Sequence, residues 1–198
     1  SKDNLLPYAR DIAEAKITNT IVVMDRDHDH HRQCIISHPC ILYTCGYSWE
    51  NDAWRAESVI SKLERISSGG VPEELAREIR LKCSNFFSDF NRLIFVDVLC
   101  SLERVQGIHR EKFWSFVDSQ DVNRLRVKKE AFRKLITTVK AGRVKKFKYV
   151  GGARVISERD CYGKLLAKFV YDIFCKGYQC VTGQKNMSRA VDDVFMAE

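Results

Sequence analysis

Three aspartates at alternate positions, Asp25, Asp27 and Asp29, follow directly on the apolar run Ile21-Val22-Val23-Met24. In an extended chain, residues two apart project to the same side, so Asp25 and Asp27 can offer two carboxylates to one point. Hard oxygen donors with retained waters are what Mg²⁺ takes, and Mn²⁺ accepts the same ligands. Asp29 is a third candidate ligand if the extended chain reaches that far. The plainer reading is a buried strand that runs into a solvated acidic turn. One more acid, Glu50, ends YTCGYSWE (residues 43–50), which follows a second short apolar stretch at 41–45. If the two stretches pair in parallel, Glu50 lies near the aspartates as a ligand or water-positioning base. If they pair antiparallel, it goes to the opposite edge, and the spacing leaves both open. Glu50 also has an ordinary role beside a helix N-terminus, where a carboxylate is favoured.

The elements that must position these acids follow from hydrophobic period and punctuation. Residues 20–24 are mostly β-branched and apolar, the pattern of a strand buried on both faces. A helix over 4–15 precedes it, with Leu5, Ala9, Ile12 and Ala13 on one stripe. The polar loop 26–39 carries His28, His30, His31 and His38, read as solvent-facing or phosphate-contacting residues. Ser48 can cap a helix over 49–66, and Ser67-Ser68-Gly69-Gly70 closed by Pro72 marks the clearest break. Helical spacing then runs over 72–104, although 93–99 also suits a strand. A short aromatic helix is expected at 108–117, a basic one at 122–139, a strand at 145–150, and helices at 157–176 and 188–196. This is an α/β pattern: a small, mostly parallel sheet flanked by helices, with a helical insertion. The expected division is 1–66 for the part carrying the acidic strand, 67–141 for the insertion and 142–198 for its C-terminal completion.

Composition narrows the partners. The net charge is +7, yet residues 122–148 hold eleven Lys or Arg against Glu130 alone, a local excess larger than the total. A polyanion is the economical partner for such a surface. Lys145, Lys146 and Lys148 interleave with Phe147 and Tyr149, and cations beside stacking surfaces suit single-stranded or structured nucleic acid. Arg154 and Lys164 are further candidate contacts. The eight cysteines are scattered and read as reduced thiols of a cytoplasmic protein. Cys34, His38, Cys40 and Cys45 lack the close Cys pair usual in structural zinc sites. No apolar run reaches membrane-spanning length, so no membrane partner is expected. No Walker loop, dinucleotide fingerprint or nucleophile elbow is present.

Together TIVVMDRDHD (20–29), YTCGYSWEN (43–51) and RDCYGKLLAKF (159–169) resemble the Toprim nucleases of the OLD-like group, in particular the branch serving as effector of the PARIS anti-phage system. The resemblance implies a Toprim-like fold and Mg²⁺-dependent (or Mn²⁺-dependent) phosphodiester cleavage. Asp25 and Asp27 would hold metal, with Glu50 as the added acid. It further implies a toxic role in defence, cellular RNA such as tRNA favoured over DNA, and an ABC- or SMC-like ATPase partner. A homodimer stays an open alternative. It also implies a first strand ending in a glutamate upstream of Ser1. A HAD-type phosphohydrolase also begins with an apolar strand ending in D-x-D, but has Thr or Val where this chain carries His28 and Asp29. The third reading is a non-catalytic nucleic-acid-binding or partner-docking module.

If the basic window contacts a nucleic-acid backbone, replacing Lys145, Lys146 and Lys148 together by Ala weakens binding of all sequences alike. It also flattens the salt dependence by roughly two to three units of log–log slope. An unchanged slope assigns these lysines to a solvated face or to a protein partner.

Overall fold

The computed structural model describes residues 2–105, 107–108, 115–118, 126–141 and 154–184. The chain is mixed α/β and mostly helical. Helix α1 (Lys2–Ala13) lies against β1 (Val22–Met24), which pairs in parallel with β2 (Ile41–Tyr43) in the register Val22↔Ile41, Val23↔Leu42, Met24↔Tyr43. Ala9 and Ile12 of the helix meet Val22, Met24 and Ile41 in a small apolar cluster. The opposite sheet face is bare, with Ile21, Val23 and Leu42 at 66%, 61% and 49% exposure. The strand is therefore buried on one face and not on two, because α1 covers only one side. Among the described residues no strand pairs with the other edge of β1.

The rest is a helical body. Helix α2 (Asp29–Arg32) follows β1, and α3 (Trp49–Ala53) and α4 (Ala56–Ile66) follow β2. After Gly70, whose φ of +76° is glycine's domain, the 30-residue α5 (Glu73–Leu102) runs through the core. Strands β3 (Val117–Asp118) and β4 (Arg126–Val127) form an antiparallel pair ahead of α6 (Lys129–Ala141). Helices α7 (Ser157–Asp160) and α8 (Gly163–Thr182) close the described chain. The aromatic stripe of α5 interlocks with α8. Phe86 stacks on Phe90 at 4.8 Å and on Phe169 at 4.3 Å, with Leu63 of α4, Val170 and Phe174 buried around them. No helix among the described residues is long and apolar enough to cross a membrane.

Several expectations change. The helix over 49–66 is two helices, because Trp54 (φ −87°, ψ 85°) leaves the helical region to bury its ring. The helix over 157–176 breaks at Cys161–Tyr162 for the same kind of reason, Cys161 being fully buried. The stretch 93–99 is helical throughout. Val117 is in a strand and not at the end of a helix, and Arg126–Val127 is a strand before the basic helix. The expected strand at 145–150 and helix at 188–196 lie outside the described residues.

Phe86→Ala removes a fully buried ring that stacks on two others. It lowers unfolding free energy by about 3–5 kcal/mol, read from urea midpoints. A loss below about 1 kcal/mol contradicts this packing.

Candidate functional site

Parallel pairing settles which side the acids share. The polypeptide leaves β1 and β2 at the same end, so Asp25 and the 43–51 segment emerge together. Asp25 Oδ1 accepts the Trp49 N–H at 3.2 Å. Burial pushes the Asp25 carboxyl above its ordinary pKa. That hydrogen bond opposes the rise, and the nearby charges of Asp27 and Glu50 add to it. Glu50 itself is buried on the first turn of α3. The geometry thus joins Asp25 and Glu50, whose proximity the spacing left open.

Asp27 reaches the mouth by a route other than strand alternation. The strand stops at Met24, and Asp27 adopts a left-handed φ of +49°, a conformation Asp tolerates better than most residues. Its N–H donates to the Tyr47 carbonyl at 2.6 Å. Its carboxylate meets Lys2 Nζ at 3.0 Å, and the same ammonium lies 2.7 Å from Asp29 Oδ2 and 3.2 Å from the Arg26 carbonyl. Burial acts to lower the Lys2 pKa, but Asp29 and Asp27 outweigh it and hold it above the ordinary value. So Asp25 groups with Glu50, while Asp27 and Asp29 share a cation supplied by α1.

The segment bearing Glu50 is held by a clasp. Asp52 Oδ2 and Oδ1 accept the N–H groups of Cys45 and Gly46, each at 2.9 Å. A Cβ at Gly46 would collide with the Asn51 side chain, so only glycine lets the turn close. Asn51 Oδ1 accepts the Ser48 N–H at 3.2 Å, the spacing of a capping box. Its Nδ2 donates to the Cys161 carbonyl at 2.9 Å and the Glu158 carbonyl at 3.2 Å. The Tyr47 N–H donates to the Arg159 carbonyl at 2.6 Å, and the Tyr47 and Tyr162 rings meet edge to face at 5.6 Å. Gly163 then seats against Ser48 and Glu50. A Cβ there would collide with Ser48 Oγ and come 2.9 Å from Glu50 Oε2.

Three of the four loop histidines are turned inward and do not face solvent as the polar loop suggested, whereas His38 is partly exposed. His28 and His31 are buried, and His30 is nearly so. Desolvation holds the His28 and His30 imidazoles down to about 4, so both are neutral near pH 7. His28 Nε2 lies 3.1 Å from the Asp160 carbonyl. The Asp160 carboxyl is buried, which would raise its pKa. His31, Arg159 and the Ile156 N–H outweigh that and keep it well below the usual carboxylate range.

Of the cations, Lys164 is exposed on the first turn of α8 beside Gly163, and Arg154 is exposed ahead of α7. Lys145, Lys146 and Lys148 lie outside the described residues. Lys2, Asn51 and Asp160 went unread in the sequence. Only Asn51 had a local signal, its place three residues after Ser48. Mg²⁺ that retains its waters needs only one or two carboxylates, and the donor set of Asp25 and Glu50 fits that demand, with Asp27 and Asp29 close by. No family model matches the chain, and no curated protein or solved structure is significantly similar to it.

Two substitutions test the clasp. Asn51→Asp keeps the acceptor for Ser48 but turns a carboxylate oxygen toward two carbonyls. It destabilises by at least the 2–4 kcal/mol or so expected for stranding buried acceptors, and by no less than Asn51→Ala. Gly163→Ala costs about 1–3 kcal/mol of overpacking. Equilibrium urea unfolding measures both, and wild-type midpoints contradict the clasp.

Proposed function

We propose that this chain is a Toprim-type, divalent-metal-dependent nuclease, with cellular RNA such as tRNA favoured as substrate and a toxic role in anti-phage defence. The observation that carries the reading is the parallel register of β1 and β2, which brings Asp25 and Glu50 out at one mouth. Asp25 and Glu50 would hold Mg²⁺ or Mn²⁺, with Asp27 and Asp29 as the adjoining carboxylates. Such an ion, when bound, supplies Lewis-acid polarisation of a phosphoryl oxygen and a more acidic bound water. On this reading Glu50, fixed by the clasp, would also accept a proton from an attacking water. Lys164 and Arg154 provide exposed positive charge for the phosphate backbone, together with the basic window. The resemblance extends the proposal to an ABC- or SMC-like ATPase that restrains or triggers cleavage.

One observation favours a second reading. Lys2 already satisfies Asp27 and Asp29, as it would in a purely structural turn of a non-catalytic binding module.

Asp25→Asn and Glu50→Gln each reduce Mg²⁺- or Mn²⁺-dependent cleavage of tRNA by about 100-fold or more while the circular dichroism spectrum is unchanged. A factor of 100 corresponds to about 2.7 kcal/mol of transition-state stabilisation. Undiminished cleavage by both variants sinks the assignment. Lys2→Ala separates the two readings. On the nuclease reading, the stability it loses is restored by Mn²⁺ bound at Asp25 and Glu50, which offsets the repulsion of the adjoining Asp27 and Asp29. On the structural reading, Mn²⁺ restores nothing.

A further inference from the structure

A second constellation, with a different donor chemistry, joins the loop after β1 to the segment before α8. His30 and His31 lie on α2, and Asp160 closes α7. His30 Nε2 stands 2.9 Å from Asp160 Oδ1, and His31 Nε2 stands 3.1 Å from Asp160 Oδ2. The two imidazole rings are 3.9 Å apart between centroids, tilted by 42°. Among the described residues, this is the group of three whose ligand atoms all lie within 4.8 Å of one another. The four acids of the mouth do not meet that test. Two ligands each about 2.1 Å from one ion stand about 3.0–3.4 Å apart at octahedral or tetrahedral angles. The observed nitrogen–oxygen spacings are close to that range.

His30 supplies an independent sign. Both its ring nitrogens are buried and neither makes a hydrogen bond of good geometry, although Asp160 Oδ1 is 2.9 Å from Nε2. The approach is too oblique for an N–H donor. Buried polar nitrogens without a well-formed partner are rare in folded proteins, and one beside a carboxylate is disposed to share a ligand with it. The carboxylate is itself oriented from behind. Asp160 Oδ2 accepts the Ile156 N–H at 2.6 Å, and Arg159 reaches Oδ1 with Nε at 3.1 Å and Oδ2 with Nη2 at 3.3 Å. Such outer partners commonly fix metal-ligating carboxylates.

We propose that His30, His31 and Asp160 form a binding site for a transition ion of the Zn²⁺ class, separate from the carboxylate site at Asp25 and Glu50. Two imidazoles with one carboxylate favour Zn²⁺, Co²⁺, Ni²⁺ or Fe²⁺ over Mg²⁺. Three protein ligands would leave a tetrahedral ion one position for water, and His30 is the ligand that reaches the surface, at 12% exposure. The site acts as a staple. It ties α2, which begins with Asp29, to the Asp160–Gly163 turn that seats Glu50. It does not depend on the nuclease reading.

The test uses the full chain stripped of metal, with Mg²⁺ in excess to occupy the carboxylates. Zn²⁺ is titrated in competition with a chromophoric chelator, and Co²⁺ is added separately to read ligand type. The expected result is one equivalent of Zn²⁺ bound, with a rise in Tm on binding. The Co²⁺ spectrum shows d–d bands without thiolate charge transfer. His30→Ala, and His30→Gln as a milder change, weaken Zn²⁺ binding by about 100-fold. Asp25→Asn and Cys34→Ser leave it unchanged. The proposal is overturned if wild type binds no Zn²⁺, if Co²⁺ shows thiolate charge transfer, or if both His30 variants bind as wild type does. The Co²⁺ spectrum decides on wild type alone, so the outcome does not depend on any variant folding.

Discussion

The amide side chain of Asn51 is the contact on which the geometry of the mouth depends. It accepts from Ser48 and donates to the carbonyls of Glu158 and Cys161, so one buried group joins segments 107 and 110 residues apart in sequence. With both ends of the amide used, neither β2's exit loop nor the α7–α8 turn can move without stranding buried polar atoms, at about 1–3 kcal/mol apiece. Tyr47 reinforces the junction through its backbone, taking the Asp27 N–H and giving its own to Arg159. Glu50 sits between these fastenings, against Gly163.

Electrostatics follows from that confinement. Asp25, Asp27, Asp29 and Glu50 are held near one strand end, where partial burial makes their shared negative charge costly. The chain meets the cost on one side with Lys2 and leaves Asp25 with a raised pKa on the other. A divalent cation bound there would relieve the same repulsion. Behind the mouth, desolvation keeps His28 and His30 neutral near pH 7, and His31, Arg159 and a backbone N–H hold the Asp160 carboxyl well below the usual carboxylate range. Two neighbouring sites thus differ in kind, one rich in carboxylate and one rich in imidazole.

How much of this was legible in the sequence differs element by element. In the sequence, Leu165, Leu166, Phe169, Val170, Ile173 and Phe174 recur at helical spacing within the helix expected at 157–176, and all six are buried. Ile79, Cys83, Phe86 and Phe90 recur in the same way within the helical spacing read over 72–104 and are buried in α5, because helical period is a local property. The parallel register could not be read, since a loop of this length allows either direction. The run Ile21–Met24 suggested burial on both faces, but composition does not reveal whether a second layer covers the sheet. Strand pleat was expected to bring Asp25 and Asp27 together, but the strand stops at Met24 and Asp27 takes a left-handed turn, so only its charge bears on Asp25. His30, His31 and Asp160 were out of reach, as 129 residues separate His31 from Asp160 and no local spacing marks the pair.

Paramagnetic broadening by Mn²⁺ tests the metal-binding mouth most directly. In a ¹H–¹⁵N spectrum of the full chain, substoichiometric Mn²⁺ should broaden the amides of Asp25, Asp27, Trp49, Glu50 and Gly163 first. Those of α6 and the C-terminal half of α8 should stay sharp. Glu50→Gln should raise the Mn²⁺ concentration needed. Broadening that spares Trp49, Glu50 and Gly163, or none at all, would contradict a divalent-metal site built on Asp25 and Glu50.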